Sequence, residues 1–247
     1  MGKIIGQHKV FLSEVESTNT YLSEKFSFDK THNGMLLWVD NQTEGRGQGK
    51  NKWTSEKGLN LTFSFIVFPE KLEAFKQFYI SKFVCVAMCE FLSKYHKNVK
   101  IKWPNDIYVD DKKIAGILIE NSVLGKNVFN SVVGIGLNVN QIEFTSEIPN
   151  PISLSQITNK TYDLEEILPE LCSVLNKYYL FLLESKFEML DLHYHKYMYK
   201  MNSEMNFKSN NFQFKAKILG VDNLGCLILK TDSSTKAYQH YEIQMII

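Results

Sequence analysis

The sequence predicts an α+β protein, a mixed β-sheet flanked by helices with a small all-β unit behind it. Runs rich in β-branched and aromatic residues recur between 8 and 140, bounded by polar or Gly-containing turns. Two stretches, 71–97 and 164–198, carry apolar residues at three- and four-residue intervals, the period of a core-facing helix. Roughly the last 45 residues return to short alternating strands, which suits a small barrel. The length of 247 residues is enough for a large unit, 1–200, and a small one, 201–247.

In chain order, 8–15, 35–40 and "LTFSFIVF" (61–68) read as strands. Between the first two, "STNTYLSEKF" reads as a short helix capped by Ser17 or Thr18. The long helix at 71–97 presents Leu72, Phe75, Phe78, Tyr79, Phe83 and Val86 as its stripe. "VKIKWPNDIYV", "KIAGILIEN" and "FNSVVGIGLNVN" then give further strands, joined by hairpin turns at "DDK" and "LGKN". Helix returns from Leu164, where Pro169 is either close enough to the start to be tolerated or marks a break. "FQFKAKILGVDNLGCLILKTD" alternates again, with its turn at "GVDNLG", and "YEIQMII" closes the chain.

Composition excludes several functions. A formal net charge of +1 gives no reason to expect a polyanion-binding surface, though a local basic patch stays open, and no nucleic-acid partner is expected. No apolar run approaches the roughly 18 residues of a membrane span. The start "MGKIIGQHKV" has no signal-peptide core, and Gly2 lacks the Ser or Thr of a myristoyl signal. Cys85, Cys89, Cys172 and Cys226 stand at unrelated spacings, as buried free thiols would. His193 and His195 are two apart in a helical region and poorly placed to share a metal. A cytoplasmic location is expected.

Four clusters carry the chemistry. "EGRGQGK" combines glycines, whose backbone N–H groups can approach an anion, with Arg46, a planar and permanent cation. It fits neither a P-loop nor a dinucleotide fingerprint, and by itself it reads equally as a mobile surface turn. In "KWPNDIYVDDKKIAGILIE", Asn105 and Asp106 either begin a turn or present an amide and a carboxylate suited to Mg²⁺. Lys113 starts the next strand beside Gly116. "STN" at 17–19 suits a helix cap. In "VVGIGLNVN", Gly134, Gly136 and Asn138 share a strand face where missing side chains leave room for a ligand or a neighbouring backbone.

In this order the four clusters resemble the signature of the biotin protein ligases, over about residues 8–140; "KWPND" followed by "KIAGIL" is the most specific part. The tail from about 203 is similar to that family's small SH3-like C-terminal barrel. The resemblance implies a class II synthetase-like biotin/lipoate ligase catalytic domain. Its activity would be formation of biotinyl-5′-AMP from biotin and Mg-ATP, then transfer to a lysine of a biotin carboxyl carrier protein of acetyl-CoA carboxylase or another biotin-dependent carboxylase.

Carried over residue by residue, Lys113, Arg46 and Asp106 take the catalytic positions, with Asp106 also the metal ligand. Ser17, Thr18, Asn19, Gln42, Gly45, Arg46, Gly47, Gln48, Lys113, Gly116, Gly134 and Gly136 take the biotin positions. Arg46, Trp53, Asn105, Asp106, Lys113 and Asn138 take the ATP positions. The resemblance also implies a loop, 45–52, poorly ordered until ligands arrive.

The sequence departs from the pattern after "GRG", where Gln48, Gly49, Lys50 and Asn51 stand in place of further arginines, implying weaker retention of the adenylate. With 16 residues before Ser17, the expected type is monofunctional, without a DNA-binding domain. The oligomeric state stays open, a homodimer included. Two rivals are a lipoate or octanoate ligase or transferase of related fold, whose Arg-rich segment running into three glycines is absent, and a non-catalytic biotin sensor, against which Lys113, Arg46 and Asp106 all speak.

Overall fold

The structure, a computed structural model, describes residues 4–145, 149–209 and 212–246. Its larger sheet has seven strands: β1 (Lys9–Val15), β2 (Leu36–Gln42), β3 (Leu61–Val67), β4 (Val99–Lys102), β5 (Asp106–Val109), β6 (Lys112–Leu124) and β7 (Asn127–Leu137). They lie in the order β1-β2-β3-β7-β6-β5-β4. Only the β1–β2 pairing is parallel, as the helix α1 (Thr18–Phe26) between them allows, so the sheet is mixed. β3 is buried at every position, which is why its sequence shows no polar alternation.

The expected helix at 71–97 is shorter. Lys71 takes a left-handed φ of 65°, a 3₁₀ turn covers Ala74–Lys76, and α2 proper is Phe78–Leu92. It ends where the Ser93 hydroxyl and N–H both bond back to the Cys89 carbonyl. The second helical stretch is two helices, α4 (Leu164–Leu183) and α5 (Phe187–Tyr197), broken at Ser185 with φ 55°, while Pro169 is carried inside α4. A short helix α3 (Leu154–Thr158), unforeseen in the sequence, rests on a capping box between Ser153 and Gln156. "DDK" and "LGKN" make the β5–β6 and β6–β7 turns, with positive φ at Asp110 and Gly125.

The second sheet is antiparallel throughout, in the order β11-β10-β9-β8-β12: β8 (Glu204–Ser209), β9 (Phe212–Val221), β10 (Leu227–Lys230), β11 (Thr235–Tyr238) and β12 (Gln244–Ile246). One buried core runs from Phe63 and Phe65 through α2 and α4 to Phe207, Ile218 and Leu229, so the two sheets share apolar packing. Polar ties reinforce this. Fully buried Lys82 on α2 donates to Asp191 on α5 at 2.6 Å and to the Asp222 carbonyl at 3.4 Å. The Tyr79 hydroxyl donates to Asp191 at 2.9 Å, and His195 Nε2 accepts from the Val221 N–H, a packing role for that histidine. Cys85, Cys89 and Cys172 are buried as expected, but Cys226 is only half-buried in the β9–β10 turn region.

Candidate functional site

A single cross-strand row sets the floor of the site. Register places Thr62 (β3), Gly136 (β7), Gly116 (β6), Asp106 (β5) and Lys102 (β4) opposite one another in sequence across the sheet. Residues so paired share one face, and two glycines in the middle of the row leave a trough. Above it opens a cavity of about 450 Å³, the size range of small-molecule sites.

One end is a network of hydroxyls and amides. The Thr18 N–H and hydroxyl both donate to Gln42 Oε1, at 2.7 and 3.0 Å. Ser17 occupies the cap position of α1, yet its side chain makes no cap bond; Gln42 from β2 serves that end of the helix instead. Ser64 links Thr18 Oγ1 and Asn19 Oδ1, each at 2.6 Å. Asn19 in turn donates to Glu120 at 2.8 Å. Ser17, Thr18, Asn19 and Ser64 are all nearly or fully buried, so this is a costly polar cluster held inside the protein.

The other end is charged. Lys113 Nζ lies 2.7 Å from Asp106 Oδ1, and its backbone is clamped by the Asn150 carbonyl and the Ile152 N–H. Arg46 reaches Glu120 at 2.9 Å. Both cations line the same cavity. Burial lowers the Lys102 pKa against the opposing pull of Asp106, and burial together with Asp106 pushes the Tyr108 hydroxyl up to about 12. Asn105 does not face a ligand freely: its amide donates to the Ile117 carbonyl, tying β5 to β6 after the cis Trp103–Pro104 bond.

The glycine-rich stretch, expected to be loosely ordered, is a hydrogen-bonded hairpin. Gly47 N bonds to Asn51 O at 2.8 Å and Trp53 N to Gly45 O at 3.0 Å, so its backbone groups satisfy one another. Arg46, Gly47, Gln48 and Trp53 line the cavity; Gly45 serves the hairpin, since a Cβ there would lie 2.2 Å from the Trp53 carbonyl oxygen.

The strand glycines make room for side chains of the site itself. A Cβ on Gly134 would sit 2.3 Å from Asn19 Oδ1, one on Gly136 would sit 2.2 Å from the Trp53 indole, and one on Gly116 would sit 3.2 Å from the same ring. Trp53 Nε1 is buried with no hydrogen-bond partner, a donor aimed at nothing among the described residues.

Asn138 is not brought into the cavity. It lies past the end of β7, where its amide donates to the Ile152 carbonyl at 3.1 Å and its own carbonyl receives the Leu154 N–H. Its place on the glycine face lapses because the strand has ended at Leu137. Among the described residues no three His, Cys, Asp or Glu side chains converge as a metal centre.

Sequence reasoning missed Ser64, Glu120, Lys102 and the second sheet's share of the wall, including His240, Tyr241, Gln244 and Met245. Ser64 had a signal, a lone hydroxyl in the middle of an apolar run; Glu120 closes the apolar run "AGILIE". The wall from the second sheet had none, because its residues meet the site only through tertiary packing.

Comparison with known proteins agrees with this geometry. Residues 11–138 match the model of the Biotin/lipoate A/B protein ligase family. The chain is 28% identical over 247 residues to the bifunctional ligase/repressor BirA of Bacillus subtilis, covering 98% of this chain and 75% of that one. It is 31% identical over 239 residues to the biotin--protein ligase of Schizosaccharomyces pombe, covering 84% of this chain and 36% of the relative. Its fold superposes with a TM-score of 0.81 on the biotin protein ligase from Aquifex aeolicus solved in complex with biotin and ATP, at 27% identity, covering 97% and 99% of the two chains. More than half the sequence lies inside the family's own pattern, and that half contributes both the polar network and the charged row, so the chain belongs to the biotin/lipoate A/B protein ligase family.

Proposed function

We propose that this protein is a biotin protein ligase, which joins biotin to ATP as biotinyl-5′-AMP and passes the biotinyl group to a lysine of a biotin carboxyl carrier protein. The observation that carries this reading is one cavity holding a buried amide and hydroxyl network at one end and Arg46 and Lys113 at the other. A ureido ring offers both donors and an acceptor, and Ser17, Thr18, Asn19 and Gln42 offer complementary groups. A carboxylate and an α-phosphate repel each other, and fixed cations in a partly water-excluded site lower that barrier by several kcal/mol.

In the first step a biotin carboxylate oxygen attacks the α-phosphorus and pyrophosphate leaves. Lys113 faces the carboxylate and the new anhydride; Arg46, on the hairpin, closes over them. Trp53 stacks on the adenine, and its indole N–H gains a partner. Asn105 and Asp106 border the ribose and phosphates.

Asp106 would hold magnesium together with the substrate phosphates, because such an ion takes one or two carboxylates and otherwise phosphate and water oxygens; the ion would supply charge neutralisation. In the second step the carrier lysine attacks the anhydride carbonyl and AMP departs, with Asp106 the candidate for taking up the amine's proton.

Residues 1–200 form the catalytic unit and 201–247 its SH3-like companion. The reading includes no nucleic-acid or membrane partner and a cytoplasmic setting; no helix among the described residues is long and apolar enough to cross a membrane.

Incubation with biotin, Mg-ATP and an unmodified carrier domain, followed by mass spectrometry of the carrier, tests the function. A mass gain of one biotinyl group is expected. Biotin-dependent exchange of pyrophosphate into ATP separates the rivals: exchange with lipoate instead indicates a lipoate ligase, and none with any acid indicates a sensor.

A further inference from the structure

Four lysine and arginine side chains line the cavity, and two contact carboxylates: Arg46 meets Glu120 at 2.9 Å and Lys113 meets Asp106 at 2.7 Å. Lys52 is exposed on the hairpin, where solvent screens its charge. Lys102, half-buried, has no carboxylate within ion-pair distance among the described residues. Its ammonium meets only the Tyr108 hydroxyl at 3.3 Å and lies 5.2 Å from the centre of that ring. It is half-buried, so water screens its charge only in part. A half-buried cation without a contacting carboxylate, at the wall of a cavity, suits an anionic ligand group.

Its place identifies which anion. Lys102 ends the row Thr62–Gly136–Gly116–Asp106–Lys102, on the strand two beyond β6. At about 4.8 Å per strand, that is roughly 10 Å past Gly116 and away from the Thr18–Asn19 network. On the functional reading above, on which this inference rests, the ureido ring occupies the network and the carboxylate points at Lys113. Displacement at phosphorus is in line, so the leaving group departs opposite the attacking oxygen. Continuing along the row from the network past Lys113 leads to Lys102.

We propose that Lys102 binds the β- and γ-phosphates of ATP and neutralises pyrophosphate as it leaves. The carboxylate oxygen forms a bond to the α-phosphorus. The bond from that phosphorus to the bridging oxygen breaks, its electron pair stays on pyrophosphate, and the Lys102 ammonium donates hydrogen bonds to the new charge without transferring a proton.

Because biotinyl-5′-AMP has already lost these phosphates, the two half-reactions separate this role from a structural one. Lys102→Met keeps an unbranched stem of similar length and removes the charge; Lys102→Arg restores it. Adenylate formation from biotin and ATP is expected to fall about 100-fold in Lys102→Met and to recover most of that in Lys102→Arg. Transfer to a carrier domain from supplied biotinyl-5′-AMP should stay within about twofold, and inhibition by inorganic pyrophosphate should weaken at least about tenfold while inhibition by AMP holds.

Equal losses in both half-reactions, unchanged pyrophosphate inhibition, or an arginine variant as poor as the methionine one would overturn the assignment. If instead the unaltered protein makes no adenylate, the functional reading itself fails, and that outcome is seen before any variant is made.

Discussion

Lys113 Nζ stands 2.7 Å from Asp106 Oδ1, across a hairpin that brings residues seven apart in sequence onto adjacent strands of one sheet. The pair joins the cation assigned to the reacting carboxylate with the carboxylate assigned to proton uptake and metal. A polyanionic substrate can displace the contact. Replacing Lys113 by Ala removes the cation and strands Asp106, so biotin-dependent pyrophosphate exchange should fall by about 1000-fold. Near-normal exchange would show that the charge has been assigned to the wrong residue.

Trp53 fills the space above two glycines and carries a buried N–H with no acceptor among the described residues. Trp53→Ala should therefore weaken ATP about tenfold or more, the range of base stacking, and biotin less. Calorimetric titration of each ligand checks this; an equal loss for both would move the indole out of the nucleotide site.

Arg46 and Glu120 are both more than a third exposed, and exposed pairs of this kind contribute about 0–1 kcal/mol. The hairpin at 45–52 is therefore only lightly latched. Limited proteolysis within it should slow when biotin and ATP are both present, and Glu120→Gln should speed cleavage of the empty protein about twofold. Protection identical with and without the two ligands would rule out a closing role.

Lys82 is fully buried and bound to Asp191 and to the Asp222 carbonyl. Removing one member of a buried pair leaves the other charge without compensation, so Lys82→Ala should cost about 3 kcal/mol in denaturant unfolding. A change below about 1 kcal/mol would mean that water reaches the pair.

Glu90 gives a pH signature. Burial alone would raise its pKa, but hydrogen bonds from Lys177 and Tyr178 outweigh it and hold the carboxyl below its ordinary 4.5. A depressed folded pKa adds stability above the unfolded value, and that stability is lost as pH falls through the folded one. The stability gap between the unaltered protein and Glu90→Gln should thus be full at neutral pH and close progressively below about pH 4.5. A gap that widens in acid would reverse the sign.

Local patterns made most of the larger sheet legible. Apolar runs placed β1 to β3 within about a residue or two, and turn residues at Asp110 and Gly125 placed both hairpins. Helix ends were not legible where the stopper was a single left-handed residue, Lys71 or Ser185, because neither is a Gly or Pro. In the site, the residue types were readable but their partners were not. Gly134 and Gly136 announced vacant space; that Asn19 and Trp53 would fill it depends on a helix and a loop packing over the strand. Asn138 shared the periodicity of the glycines, and only the end of β7 took it off that face. The unmatched charge of Lys102 needs three-dimensional distances to be seen at all.

The wall that His240, Tyr241 and Met245 lend to the cavity makes the second sheet one side of the reaction vessel. Trimming those side chains opens the trough above Thr18 and Lys113 to water, so an adenylate held there should hydrolyse sooner while the larger sheet stays intact.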